Sequence, residues 1–293
     1  MAIVVKNLTY TYMKGTPLAA TALHDVSFTI EDGEFVGIIG QTGSGKSTLI
    51  QHLNALIRPE LGRVSVDGVD LGARKVNLRA IREKVGLVFQ FPEHQVFEET
   101  VAADTAFGPR NLGLSDAAVA RRVKDAIAAV GLDYEAVKGR SPYELSGGQL
   151  RLIAIAGVLA MQPRVLILDE PTAGLDPRGR DELLEKIRQM YEELGITVIL
   201  VSHNMEEVAR MVKRLIVMHR GRIALDGPVR EIFRQAELLR EIGLATPQLT
   251  QLARRLREKG LKVDETVFTV EEARVEILAA LGQNQARRFG NLG

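Results

Sequence analysis

The strongest chemical signal in the chain is one loop, Gly40-Gln41-Thr42-Gly43-Ser44-Gly45-Lys46-Ser47, which reads G-x-x-x-x-G-K-S. Glycines at this spacing let the backbone curl so that amide N–H groups point into one concavity, which suits the oxygens of a phosphate chain. Lys46 adds a full cation for the β- and γ-phosphates. The Ser47 hydroxyl can ligate Mg²⁺, and a helix opening at Thr48 adds its positive end. The pattern carries weight only between a strand and a helix. Both are present: the apolar run Phe35-Val36-Gly37-Ile38-Ile39 comes before, and Thr48-Leu49-Ile50-Gln51-His52-Leu53 follows with helical character. A glycine-rich turn that binds nothing is the plain alternative, and this context argues against it.

Further on, Val165-Leu166-Ile167-Leu168 is a fully apolar strand that delivers Asp169-Glu170 at its end. A carboxylate there, beside a phosphate loop, is placed to hold Mg²⁺, and Glu170 is placed to orient or deprotonate a water. Surface carboxylates on a loop are the alternative, a better fit for Glu170 than for Asp169. Thr197-Val198-Ile199-Leu200-Val201 repeats the strand pattern and delivers Ser202-His203. His24, His52, His94 and His219 read as structural or solvated, whereas His203 emerges where the active face of such a sheet should be. Leu145-Ser146-Gly147-Gly148-Gln149 opens a long apolar helix, a second phosphate-friendly N-terminus, although small polar residues are common at helix caps in any case.

The elements that must hold these groups are legible in outline. Residues 3–8 and 23–30 are rich in β-branched and aromatic side chains and read as antiparallel strands. Tyr10 and Tyr12 lie between them; an exposed ring could stack on a base, but the pattern favours both packing in the sheet. Residues 63–70 read as a strand and tight turn. Val85-Gly86-Leu87-Val88-Phe89 is a buried strand ending at Gln90, after which Phe91-Pro92 forces an extended exit. Residues 100–161 turn helical, with a helix over 116–130 stopped at Gly131, so a helical subdomain is inserted between strands of a nucleotide lobe.

Composition bounds the rest. The 293 residues are long enough for a large core and more than one lobe. Lys and Arg number 38 against 37 Asp and Glu, so no global field marks a nucleic-acid binder. The absence of cysteine excludes disulfides and thiolate metal sites. The first residues turn polar too soon for a signal peptide. The longest apolar run, residues 152–161, falls well short of the roughly 20 a membrane helix needs. Any membrane role must work through a partner.

Taken together, the phosphate loop (Walker A), Gln90, Leu145-Ser146-Gly147-Gly148-Gln149, Asp169-Glu170, Ala173-Gly174-Leu175-Asp176 and His203 resemble the nucleotide-binding subunits of ABC transporters. The resemblance covers roughly residues 1–230. It implies an α/β P-loop NTPase fold of the ABC ATPase type, with a mixed sheet, an antiparallel β subdomain, an inserted helical subdomain at about 98–162 and a small C-terminal helical extension. By the same resemblance Tyr12 stacks on adenine, with Tyr10 a poorer candidate. Ser47, Gln90 and Asp169 hold Mg²⁺, Gln90 also senses the attacking water, Glu170 is the catalytic carboxylate and His203 meets the γ-phosphate. Ser146 and Gly148 close on ATP held by a second subunit, and Asp176 speaks to the opposing site. Many members have Ser-Ala-Leu-Asp where this chain has Ala173-Gly174-Leu175-Asp176, which leaves Ala173 without a role. A soluble ABC ATPase acting on nucleic acid or ribosomes usually carries a second cassette or a long coiled coil, and neither pattern is present. A regulatory module without turnover would normally lack Glu170 or the signature.

The stretches Phe89-Gln90-Phe91-Pro92-Glu93-His94-Gln95-Val96-Phe97-Glu98-Glu99-Thr100-Val101 and Asp104-Thr105-Ala106-Phe107-Gly108-Pro109-Arg110-Asn111 narrow the resemblance to energy-coupling-factor transporter ATPases, the second of their two paralogous types. That implies an importer of vitamins or transition-metal ions at the cytoplasmic face of the cell membrane. Its partners are a second ATPase subunit (a paralogue or another copy), a transmembrane coupling subunit and a substrate-binding membrane subunit. Phe91, Val96 and Phe97 beside Glu93, Glu98 and Glu99 have the make-up of a groove for an amphipathic helix carrying arginine, and Glu93 is the expected contact. In residues 229–293, Thr246-Pro247 opens a helix with Leu249, Leu252, Ala253 and Leu256 on one face, and Thr269 with Glu272 forms a capping box. These two helices either pack on their own lobe or, as the resemblance favours, form a dimer contact; residues 283–293 read as a frayed tail.

Overall fold

Strands rich in β-branched residues alternate with helices that begin at clear caps, and the order of the two sets the architecture. The computed structural model describes residues 2–290, with side chains as far as 282. The N-terminal part contains β1 (Ile3–Tyr12), β2 (Ala20–Ile30), β3 (Phe35–Ile39), α1 (Lys46–Leu53), β4 (Leu61–Val66), β5 (Val69–Asp70), α2 (Leu78–Lys84) and β6 (Val85–Val88). A helical insertion follows: α3 (Val101–Asn111), α4 (Asp116–Ala129), α5 (Tyr134–Val137) and α6 (Gly147–Leu159). Then come β7 (Val165–Asp169), α7 (Pro177–Leu194), β8 (Thr197–Val201), α8 (Met205–Met211), β9 (Arg214–His219) and β10 (Arg222–Pro228). The chain closes with α9 (Val229–Arg234), α10 (Ala236–Glu241), α11 (Gln248–Glu258) and α12 (Val270–Gly290).

Two sheets result. One is antiparallel in the order β2-β1-β4-β5; the other is six-stranded in the order β10-β9-β3-β8-β7-β6, parallel except for β10. Period-two alternation splits the larger sheet between two cores. Val36, Ile38 and Ile167 face the antiparallel sheet, while Phe35, Ile39, Leu166 and Leu168 face the helices. The helical insertion shares the second core with Val229, Ile232, Phe233, Leu239, Leu244 and Phe268, so the chain after β10 is built into the nucleotide lobe. α11 and α12 close a separate small core around Ala253, Val263, Val267, Ala273 and Ala280.

Three local expectations need correction. Tyr10 and Tyr12 do not lie between strands: β1 runs on to pair Tyr12 with Ala20, because Thr9, Tyr10, Thr11 and Tyr12 are all good strand formers. Pro92 does not extend the chain. It opens a 3₁₀ turn, Pro92–Gln95, where its fixed φ suits a first helical position; Phe91 before it, at φ −117° and ψ 77°, stays out of the helical region. The final stretch is not simply a tail, since α12 continues to Gly290; residues 291–293 lie outside the described residues. The capping box on α12 is present: the Glu272 N–H donates to Thr269 Oγ1 at 3.1 Å and the Thr269 N–H to Glu272 Oε2 at 3.2 Å. Among the described residues no helix is long and apolar enough to cross a membrane.

Candidate nucleotide site

The chemistry-bearing residues leave the sheet at the carboxyl ends of neighbouring parallel strands, where open α/β sheets bind ligands. β3 runs into the glycine loop, β6 into Gln90, β7 ends at Asp169 and β8 is followed by Ser202 and His203. They line one cleft of about 1020 Å³ with Tyr12, Gly40, Gln41, Thr42, Gly43, Gly45, Lys46, Ser47, Thr48, Gln90, Asp169, Glu170 and His203 on its walls. Tyr12 lies at its edge, its hydroxyl 3.1 Å from Thr48 Oγ1, while Tyr10 packs edge-on against Tyr12 and His52 and belongs to the core. Gly45 caps α1 at φ 101°, and a Cβ there would fall 2.6 Å from the Ala22 carbonyl oxygen, so glycine is required.

Glu170 stands at the centre. Its φ of 49° is left-handed, uncommon for glutamate, and its N–H donates to the Val201 carbonyl at 2.8 Å, tying β7 to the end of β8. Its carboxylate accepts from Gln90 Nε2 at 2.9 Å and lies 3.1 Å from His203 Nδ1. A charged, hydrogen-bonded group held between two partners is oriented before any ligand arrives. Burial pushes the Asp169 carboxyl up to about 6, the Glu170 charge adds to this, and Lys46 opposes it. Burial lowers the Lys46 ammonium, and Glu170 and Asp169 counter that. Lys46 Nζ donates to the carbonyls of Gly40 at 2.7 Å and Gln41 at 3.1 Å, within its own loop. Ser44 Oγ is buried without a hydrogen-bond partner.

The donor set fits a hard cation held together with phosphate. Among the described residues no cluster of His, Asp and Glu could cage a metal alone. Asp169, the Ser47 hydroxyl and the Gln90 amide share the cleft, the mixed oxygen set that Mg²⁺ uses when a substrate supplies the remaining ligands.

Ser146, Gly148 and Asp176 lie outside this cleft. Ser146 caps α6 in a full capping box with Gln149. Asp176 caps α7, and the N–H groups of Gly179 and Arg178 hold its carboxyl below the usual range. Several side chains escaped the sequence reading. Glu207, only 3% exposed, accepts from Thr172 Oγ1 at 2.8 Å and Ser202 Oγ at 2.9 Å, with Arg180 Nε at 3.4 Å. It ties the segment after Glu170, the start of α7 and the residue before His203. Arg151, on α6, donates to the Pro171 carbonyl at 2.8 Å and pairs with Glu93 at 3.5 Å. Glu93 thus faces a buried guanidinium on one side while its side chain stays 30% exposed. An open hollow of about 610 Å³ lies alongside, walled by Arg79, Arg82, Asp104, Phe97, Phe107 and Met161. Val96 is buried, while Phe97 and Phe107 stand exposed, ring centres 4.8 Å apart.

The family model described as ABC transporter matches residues 23–173. A Clostridium perfringens (strain 13 / Type A) protein, "Energy-coupling factor transporter ATP-binding protein EcfA2", is 54% identical over 284 residues, 97% of this chain and 100% of its own length. This chain belongs to the energy-coupling factor transporter ATP-binding proteins of the ABC transporter family. A Symbiobacterium thermophilum relative of the same name is 56% identical over 281 residues, covering 96% of this chain and 97% of that protein. Among solved structures, cbiO1 from Clostridium perfringens, described as part of the ABC transporter complex cbiONQ, superposes with a TM-score of 0.73. It has 37% identity and covers 87% of this chain and 98% of that one. The ATP-binding cassette MJ0796, a dimer bound to ADP and Pi, gives 0.68 at 29% identity, over 78% of this chain and 99% of that one. The ABC ATPase fold and ATP hydrolysis follow from that membership.

Proposed function

We propose that this chain binds and hydrolyses ATP to energise an energy-coupling-factor importer for vitamins or transition-metal ions. It works peripherally at the cytoplasmic face of the membrane. The observation that carries the reading is Glu170, held between Gln90 and His203 beside Asp169 and facing Lys46 in one cleft. The β- and γ-phosphates replace the Gly40 and Gln41 carbonyls as partners of Lys46 and take up the N–H groups that open α1. Tyr12 stacks on the base. Ser47, Asp169 and Gln90 hold Mg²⁺, which neutralises phosphate charge when bound. Glu170 orients a water and takes its proton, and His203 supports the γ-phosphate.

The site is shared between subunits in this reading. Ser146 and Gly148 at the start of α6, with Asp176 at the start of α7, complete the ATP site of a second ATPase subunit, a paralogue or another copy. Residues 1–228 form the nucleotide-binding domain, and the extension over 229–293 supplies a dimer contact. Leu252, Val275, Leu278 and Leu281 support this, since they stand exposed on α11 and α12. The hollow beside Phe97 and Phe107 receives the transmembrane coupling subunit, which in turn holds a substrate-binding membrane subunit. The test is co-purification. Phe97→Asp, which removes an exposed ring, should cut recovery of the membrane partners about tenfold while ATP affinity stays within about twofold. Full recovery of the partners with the variant would contradict the assigned docking surface.

A further inference from the structure

The nucleotide cleft has a wall that none of its motifs supplies. Gly243, Leu244 and Ala245, from the chain beyond β10, line it against the glycine loop. Gln41 Nε2 donates to the Gly243 carbonyl at 3.1 Å. The approach is close enough that a Cβ on Gly243 would fall 1.8 Å from Gln41 Nε2.

The turn is firmly seated. α10 ends in a complete left-handed cap: Gly243, at φ 75°, donates to the Arg240 carbonyl at 3.0 Å, and Leu244 donates to Leu239 at 2.8 Å. Leu239 and Leu244 are both buried in the main core. On the other side, the Gln248 N–H donates to Glu206 Oε1 at 3.0 Å, on the helix that follows His203. Gln248 is the first residue of α11. The glycine loop, α8 and the start of the C-terminal helices therefore meet within a few residues.

We infer that residues 243–245 are a wall of the ATP site, and that Gln41 is a positioning residue through which the C-terminal segment sets nucleotide affinity. The inference rests on the cleft being the ATP site. The bond from Gln41 holds the first peptide units of the loop, whose carbonyls Lys46 now occupies. A loop held in its binding shape loses less freedom when phosphate arrives. Any shift of α11 reaches that bond through Thr246 and Pro247.

The experiment uses the full chain with ATP as probe, and measures Kd by calorimetry and KM against kcat. Gln41→Ala should weaken ATP binding about three- to tenfold, the scale of one exposed hydrogen bond, with kcat at saturating ATP within about twofold. Gly243→Ala should weaken binding in the native background and add less than about twofold in the Gln41→Ala background. Backbone strain from alanine at φ 75° is the same in both backgrounds and cancels. Equal penalties in the two backgrounds, an unchanged Kd for Gln41→Ala, or a fall in kcat at constant Kd would each overturn the inference. Gln41 is exposed, so its variant decides the matter even where Gly243→Ala fails to fold. A native chain that binds no ATP would instead overturn the reading of the cleft.

Discussion

Glu170, Asp169, Lys46 and His203 meet because Asp169 ends β7, Glu170 and His203 follow β7 and β8, and Lys46 opens the helix after the β3 loop, and residue-scale patterns reported that arrangement well. A phosphate loop is recognisable from its own sequence because glycine spacing, lysine and helix start are all local requirements. Tyr12 was less legible. Its role depends on β1 running past Asn7, whose φ of 50° marks an irregularity in the ladder, and no local pattern reveals which face the ring takes afterwards. The assignment of Tyr12 to the base makes a specific prediction. Tyr12→Ala should weaken ATP binding by about 5- to 150-fold, the usual range for one aromatic–base stack. Tyr12→Phe loses only the contact with Thr48 and should stay within about threefold. Calorimetric titration of both variants checks this, and equal losses would assign the effect to the hydroxyl rather than to stacking.

Elements were legible where one period or one cap defined them, as with β7, β8, α4 and the capping box on α12. What joins elements was not. Glu207 meets Thr172 and Arg180 across long sequence separations as well as Ser202 nearby, and a buried carboxylate on a short helix leaves no periodic trace. Glu93 illustrates the same gap: its neighbours in sequence gave no sign of its ion pair with Arg151 on α6. The geometry gives Glu207 a positioning role, since it holds the residue before His203 and the segment after Glu170 in one arrangement. Glu207→Gln keeps the shape but removes the charge and one acceptor. It should lower kcat about tenfold with ATP affinity within about threefold, because misplacement of a reacting group costs rate more than binding. Steady-state kinetics with a binding titration distinguish this from general destabilisation, which would lower the active fraction and leave kcat per folded molecule unchanged.

At the scale of the whole molecule, the mixed sheet, the antiparallel sheet, the inserted helices and the C-terminal helices agree with the sequence reading, while the strand order and the way the C-terminal chain joins the rest were hidden. Removing everything after Val229 would strip Ile232, Phe233, Leu239 and Leu244 from the main core, so a truncated chain would report on stability as much as on pairing. A surface substitution is the cleaner probe. Leu278→Asp, on the exposed face of α12, should leave thermal stability nearly unchanged and give monomer mass by light scattering without nucleotide. Dimer mass for that variant would remove α12 from the contact. The central claim is ATP turnover by Glu170 at a site closed by a second subunit. Glu170→Gln tests it in one measurement, turnover alongside light scattering with ATP and Mg²⁺, with the scattering read in the Leu278→Asp background, which is monomeric without nucleotide. ATP binding should be retained, turnover should fall by about 10²–10⁴, and an ATP-bound dimer should accumulate. Turnover equal to that of the native chain, with no added dimer, would contradict it.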